Sequence, residues 1–160
     1  MIQKPQFEED FLKRQNIIVI WLYILIVSVV CMVIIGGLTR LTGSGLSMVD
    51  WRPITGWLPP FNDTSWFFVF EEYKKTPEYL IINKGMNLQE FKQIFWLEYF
   101  HRLWGRLIGV VFLVPFVFFL LKGWINSILG IRLLGLLVLG GAQGVMGWYM
   151  VQSGLSLRPE

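Results

Sequence analysis

Hydrophobic positions in this chain gather into three long blocks, separated by stretches in which polar, aromatic and glycine residues mix. Ile17 to Leu38 is a run of 22 residues without a charge. As a helix at about 1.5 Å per residue it measures ~33 Å, enough to cross a hydrocarbon core of ~30 Å. Leu103 to Leu121 is a second block, interrupted only by Arg106 near its start, and Leu133 to Val151 is a third, uncharged, with one amide at Gln143. This pattern predicts an all-α fold, an integral membrane helical bundle of three transmembrane helices plus a long outer loop with short interfacial helices. The chain divides accordingly into a tail (1–16), helix 1 (17–38), an outer loop (39–97), helix 2 (98–121), a short loop (122–132), helix 3 (133–151) and an outer tail (152–160).

The stretch between the first two blocks is too long for a simple linker. It opens with Gly36-Gly37-Leu38-Thr39-Arg40-Leu41-Thr42-Gly43-Ser44-Gly45, turn chemistry rich in glycine and hydroxyls. Trp51-Arg52-Pro53, Gly56-Trp57 and Pro59-Pro60 follow, with indoles at the depth where lipid headgroups begin. Ser65 to Lys75 reads either as a short amphipathic helix lying on the membrane, anchored by Trp66, Phe67, Phe70 and Tyr73, or as an irregular aromatic loop packed on the helix ends. Asn87 with Glu90 three residues later is a capping-box pattern, and a helix starting there runs unbroken through Glu98 and His101 into the second block. Pro115 interrupts its hydrogen bonding inside the membrane, where neighbouring helices can satisfy the freed carbonyl. The third block is stepped with Gly135, Gly140, Gly141, Gly144 and Gly147, a spacing that lets another helix backbone approach closely.

The leader before the first block carries Glu8, Glu9 and Asp10 beside Lys13 and Arg14, and no small-x-small cleavage site follows the block. It reads as an uncleaved anchor, not a signal or transit peptide, which points to a bacterial membrane. Lys4, Lys13, Arg14, Lys122 and Arg132 all fall on one side if the N-terminus is cytoplasmic, so the expected location is the cell inner membrane, multi-pass, with the 39–97 loop outside. Arg132 lies near enough to the end of its block to anchor at the interface at little cost. A net charge of +3 with no basic stripe gives no reason to expect nucleic acid as a partner. Cys31 is the only cysteine and sits mid-block, so no disulfide forms within the chain.

The chemistry concentrates in Glu98-Tyr99-Phe100-His101-Arg102-Leu103-Trp104-Gly105-Arg106, which holds the only histidine. At about 100° per residue, Glu98, His101, Gly105 and Gly109 share a sector of ~80° on one helix face. That face offers an imidazole, a carboxylate one turn outward and two missing side chains inward, a shape suited to a porphyrin whose iron His101 ligates. Arg102 and Arg106 are placed to pair with haem propionates. The same residues admit a plainer reading, in which His101 is an interfacial packing residue and Glu98 with Arg102 an ordinary i, i+4 ion pair. One histidine, one cysteine and no carboxylate cluster leave no zinc or di-iron set.

The segments Gly36 to Met48, Trp51-Arg52-Pro53-Ile54-Thr55-Gly56 with Pro59-Pro60, Pro77-Glu78-Tyr79, Asn83-Lys84-Gly85-Met86, Glu90-Phe91-Lys92, Ile94-Phe95-Trp96, Glu98 to Arg102, Gly105-Arg106, Gly140 to Gly144 and Met150 to Leu155 occur in an order that resembles the haem A synthase family, in its alphaproteobacterial and mitochondrial branch. The resemblance implies an integral membrane oxidoreductase acting on a CH group. It converts haem O to haem A for terminal oxidases by oxidising the ring-D methyl to a formyl group. It further implies eight helices in two four-helix halves, each able to hold a haem between two histidines. His101 matches the first histidine of the N-terminal half, and Glu98 a glutamate implicated in catalysis. Haem b as cofactor, haem O as substrate ligated by His101, and haem O synthase as a partner beside the lipid bilayer follow from the same resemblance.

The family continues beyond Arg158-Pro159-Glu160 into a fourth helix with the partner histidine. A truncated gene, a piece of a longer chain and a split gene each account for the length, and a homo-oligomer donating His101 from each copy is a further arrangement. Two other functions stay open on the sequence: a non-catalytic b-type haem-binding anchor, and a structural membrane subunit or inactive remnant.

Overall fold

The computed structural model describes residues 4–50 and 57–156. Five helices account for most of them: α1 (Lys4–Leu41), α2 (Asp63–Tyr73), α3 (Pro77–Ile81), α4 (Leu88–Leu121) and α5 (Ser127–Ser156). No strand occurs among the described residues. α1, α4 and α5 are each long and apolar enough to cross a membrane, and the fold is an integral membrane helical bundle. Each helix outruns its apolar block, α1 at both ends and α5 from Ser127. The hydrophobic run marks the stretch that lipid can cover, whereas backbone hydrogen bonding continues until a cap or a turn stops it.

α1 and α4 form the central pair. Pro115 lacks an N–H, so the Val111 carbonyl one turn earlier loses its helical donor. The Trp21 indole of α1 donates to that carbonyl at 2.8 Å, supplying from the neighbouring helix what the proline removed. Seven residues onward along α1 and seven back along α4, the Trp104 indole donates to the Ser28 carbonyl at 2.9 Å. Opposite steps of equal length make the two helices antiparallel, and α4 continues through Pro115 without a break. Around Trp21 the bundle packs Ile18, Leu25, Phe116, Phe119, Ile125 and Leu133, with Phe119 edge-on to the indole at 5.3 Å. A tight turn at Gly123 then returns the chain into α5, whose first turn is capped by the Asn126 side chain accepting from Leu129 N–H at 2.8 Å. Most other apolar side chains of the three long helices face outward, as the acyl-chain environment of a membrane span allows.

The loop between α1 and α4 is a folded cap. α2 starts at Asn62, whose side chain accepts from Ser65 N–H, and α3 at Thr76 followed by Pro77, both ordinary helix starts. α2 is a helix over nearly the span expected from the sequence, but its aromatic stripe points the other way. Trp66, Phe70 and Tyr73 are buried against Phe91, Phe95 and Tyr99 of α4, and of the four expected membrane anchors only Phe67 is exposed. The i, i+4, i+7 spacing that reads as a membrane-facing stripe serves the protein core instead, because α4 begins about four turns before its apolar block and offers aromatic partners there. Trp66 meets Phe95 at 4.9 Å and Phe70 meets Phe91 at 4.9 Å. Residues 51–56, including the Trp51-Arg52-Pro53 motif, lie outside the described residues.

Removing the Trp21 indole leaves a bare carbonyl inside the membrane, so Trp21→Phe is expected to destabilise the protein by about 1–3 kcal/mol. Pro115→Ala restores the helical donor, so the same Trp21→Phe change in that background is expected to cost measurably less. A double-mutant cycle of unfolding free energies in detergent checks the coupling.

Candidate functional site

The site forms where the end of α1, the turn that follows it and the N-terminal half of α4 converge. α4 is fixed at its start by a capping box, Asn87 accepting from Glu90 N–H at 3.0 Å while Glu90 accepts from Asn87 N–H at 2.8 Å. α1 ends in a Schellman motif: Ser44 N–H reaches Thr39 O and Gly43 N–H reaches Arg40 O, with Gly43 at φ +62°, a conformation that glycine adopts without strain. The reversal carries Ser44 and Ser47, both fully buried, back across α4.

Glu98 waits there, its side chain 2% exposed. Its Oε2 accepts from the Ser47 hydroxyl at 2.6 Å and from Met48 N–H at 2.7 Å, while Oε1 accepts from Arg102 Nη2. Arg102 Nη2 also donates to the Met48 carbonyl at 3.1 Å. The acid and the base, one helical turn apart, therefore hold both backbone groups of a single residue in the turn. Such a grip depends on the peptide and not on the methionine side chain, and a carboxylate with three donors, one cationic, is well satisfied where it is buried. On the far side, the end of α5 closes on the same turn, with a Cβ on Gly154 falling 2.9 Å from the Leu46 side chain.

His101 lies one turn inward and half-buried, its ring turned toward α1. Its Nε2 is 3.1 Å from the position a Cβ would take on Gly36, so a side chain there would push the imidazole away by a few tenths of an ångström. Among the described residues neither ring nitrogen makes a hydrogen bond. A Cβ added at Gly105, in the next turn, would lie 3.4 Å from the Met32 methyl of α1, whereas the space beside Gly109 is open. The glycines on the His101 face thus divide, one taking α1 and the other left clear. Arg102 is committed to Glu98 and Met48 through Nη2, while its Nη1 is buried without a hydrogen-bond partner. Arg106 sits 6.0 Å from the Trp57 ring, whose carbonyl accepts from the Tyr99 hydroxyl at 2.6 Å.

Sequence reading singled out Glu98, His101, Arg102, Gly105 and Arg106, and the fold gathers all five along one stretch of α4. It did not find Ser47, Met48 or Gly36 as their partners, since those contacts join residues some fifty or more positions apart. Nor did it single out Glu78 for a role, although Thr76-Pro77-Glu78 carries a helix-start signature. Glu78 is 4% exposed, and its Oε2 has no hydrogen-bond partner. Burial, and secondarily the negative charge of Glu98, lift its carboxyl from the ordinary 4.5 to about 7. Tyr73, which accepts from Asn83 Nδ2 at 2.8 Å, is pushed up to about 12, mainly by burial.

The fold and the site together define an integral membrane helix bundle that buries an acid, a base and an imidazole at one end. The profile of the COX15-CtaA family, described as cytochrome oxidase assembly protein, matches residues 19–160, and the chain belongs to that family. The heme A synthase of Paramagnetospirillum magneticum is 58% identical over 142 residues, which cover 89% of this chain and 40% of the relative. That of Nitrosospira multiformis is 50% identical over 156 residues, 98% of this chain and 44% of the relative. The heme A synthase COX15 of Arabidopsis thaliana is 52% identical over 148 residues, 92% of this chain and 32% of the relative. The chain thus spans about two-fifths of the length of the first two relatives and a third of the plant one. No solved structure matches it significantly.

Two outcomes are expected from the site. Ser47→Ala removes a hydrogen bond to a charged acceptor and is expected to cost about 1.5–3 kcal/mol, whereas Glu98→Ala strands the Arg102 charge and is expected to cost about 3–5 kcal/mol. Unfolding free energies in detergent order the two. Glu78 binds its proton more tightly folded than unfolded, so its contribution is fully present below about pH 4.5, declines above that and is lost as pH rises through about 7. Glu78→Gln is expected to abolish this pH dependence and to exceed wild-type stability by up to about 3 kcal/mol above pH ~8, read from unfolding at both pH extremes.

Proposed function

We propose that this chain is the N-terminal portion of a haem A synthase, an oxidoreductase that converts haem O to haem A by oxidising the ring-D methyl to a formyl group. The observation that carries the reading is the run of relatives bearing that name, 50–58% identical across most of this chain, together with an imidazole free of hydrogen bonds on the stretch they share.

His101 is the residue present that would hold haem iron. Among the described residues His101 spends neither ring nitrogen on a hydrogen bond, and the open space at Gly109 gives a flat ring room along the same helix face. A chain with one histidine supplies one such ligand, so the second comes from another segment or another polypeptide. Bound haem, whether haem b or the substrate haem O, supplies the redox chemistry. The protein's own part is ligation, orientation and proton handling. His101, its imidazole placed against Gly36, would orient the bound haem. Arg102 Nη1 and Arg106 are the cations for the propionates. Glu98, held as a carboxylate by three donors, accepts a proton or stabilises positive charge near the reacting carbon. Ser47 and Met48 fix the direction in which that carboxylate points.

The topology that goes with this reading puts the N-terminus in the cytoplasm of a bacterial cell, the three spans in its inner membrane, and the α2–α3 cap outside. Haem O synthase and the partner supplying the second axial ligand are the proteins it is expected to meet.

Protein purified in mild detergent from cells that accumulate haem O is expected to carry haem with an absorption spectrum of histidine ligation, and His101→Ala is expected to lose it. Haem A in extracts of synthase-deficient cells, measured by chromatography after expression of the chain with its completing partner, checks the activity. Wild-type protein without haem, indistinguishable from His101→Ala, would overturn the assignment.

A further inference from the structure

Glu78 is the one buried acid that the site as described leaves without a task. It stands on α3, which packs against the end of α5, and lies within electrostatic reach of Glu98 and Tyr73. Its surroundings are the reverse of those of Glu98. Glu98 has a hydroxyl, a backbone N–H and a guanidinium donating to its two oxygens. Glu78 is nearly as buried, yet among the described residues its Oε2 has no donor. Among the described residues, the titratable groups that interact with Glu78 are Tyr73 on α2 and Glu98 on α4. Neither is a cation, and the described residues of α5 carry no charge apart from Arg132 near the opposite end of the helix. Two carboxyls in one low-dielectric region, one rich in donors and one without, settle with the charge on the first and the proton on the second.

We propose that Glu78 and Glu98 work as a coupled pair, with Glu98 bearing the charge and Glu78 holding a proton that it releases when Glu98 becomes neutral. The place of the pair in catalysis rests on the haem-oxidation reading. Oxidising a methyl to a formyl group liberates protons. A proton arriving on Glu98 removes the negative charge that favours the proton on Glu78, which then leaves toward water at the outer face. One proton is taken up and one released, and no electron moves. Glu78 acts through Glu98 and is not placed against the substrate.

The test reads the carboxyls directly. In the purified full chain in detergent, the infrared carbonyl stretch of a protonated carboxyl is expected to disappear with a midpoint near pH 7 and to be missing from Glu78→Gln. Glu98→Gln is expected to lower that midpoint by less than half of its rise above the ordinary value, because burial is the larger cause and persists. Glu98→Asp, which keeps the charge, is expected to leave the midpoint in place and so separates charge from packing. A band that survives Glu78→Gln, or a midpoint that Glu98→Gln does not move, would overturn the proposal. Neither measurement needs bound haem. A haem-free protein that titrates as expected would sink the functional reading alone, and a haem-binding protein without the coupling would sink this inference alone.

Discussion

A carboxylate and a guanidinium one helical turn apart on α4 hold the two backbone groups of Met48, and the outer half of the molecule is organised around that grip. The Gly43–Asp50 turn has hydrogen bonds that run back to the end of α1 and from Ser47 to Ser44. Glu98 and Arg102 convert it from a helix terminus into a lid seated on α4, with Leu46 closed over by the end of α5. Burying an ion pair is expensive in any protein and more so beside a bilayer. The cost is offset here because the donors on Glu98 and the acceptors on Arg102 come in part from backbone that needs partners itself.

The inner half rests on a different device. α4 must pass through Pro115 inside the membrane, where no water is available to satisfy the Val111 carbonyl. The Trp21 indole does so from α1 and anchors a cluster of aromatic and aliphatic side chains in the process. Trp104 returns a bond to Ser28, so the two central helices are registered by indoles at both levels. That registration is what brings Gly36 of α1 opposite His101 and Met32 opposite Gly105. The orientation of the imidazole is therefore a consequence of helix register as much as of its own surroundings.

The two carboxyls show how environment, not residue type, assigns roles. Glu78 and Glu98 are both glutamates in the outer half and both almost wholly buried. Donors gather on one and are absent from the other. An aromatic cap of Tyr73, Tyr79 and Phe91 excludes water, and that exclusion makes the difference count.

Periodicity and block length determined a great deal of this protein by themselves. Three spans, the capping box at Asn87, the continuity of α4 through Glu98 and His101, and the demand that Pro115 makes on a neighbour all follow from local rules that need no partner to be known. The stretch of α4 that carries the site was legible for the same reason, since Glu98, His101, Arg102 and Gly105 are neighbours on one helix. Only the tertiary structure decided which way the α2 stripe faces, because an apolar face looks the same whether lipid or Phe91 and Phe95 will cover it. It alone decided that Arg102 is bound to Glu98 and Met48, that Gly36 sits against His101, and that Glu78 is a buried acid without a donor. These are contacts between segments far apart in the chain, set by helix register and by the reversal at Gly43, and no pattern within a single segment encodes them.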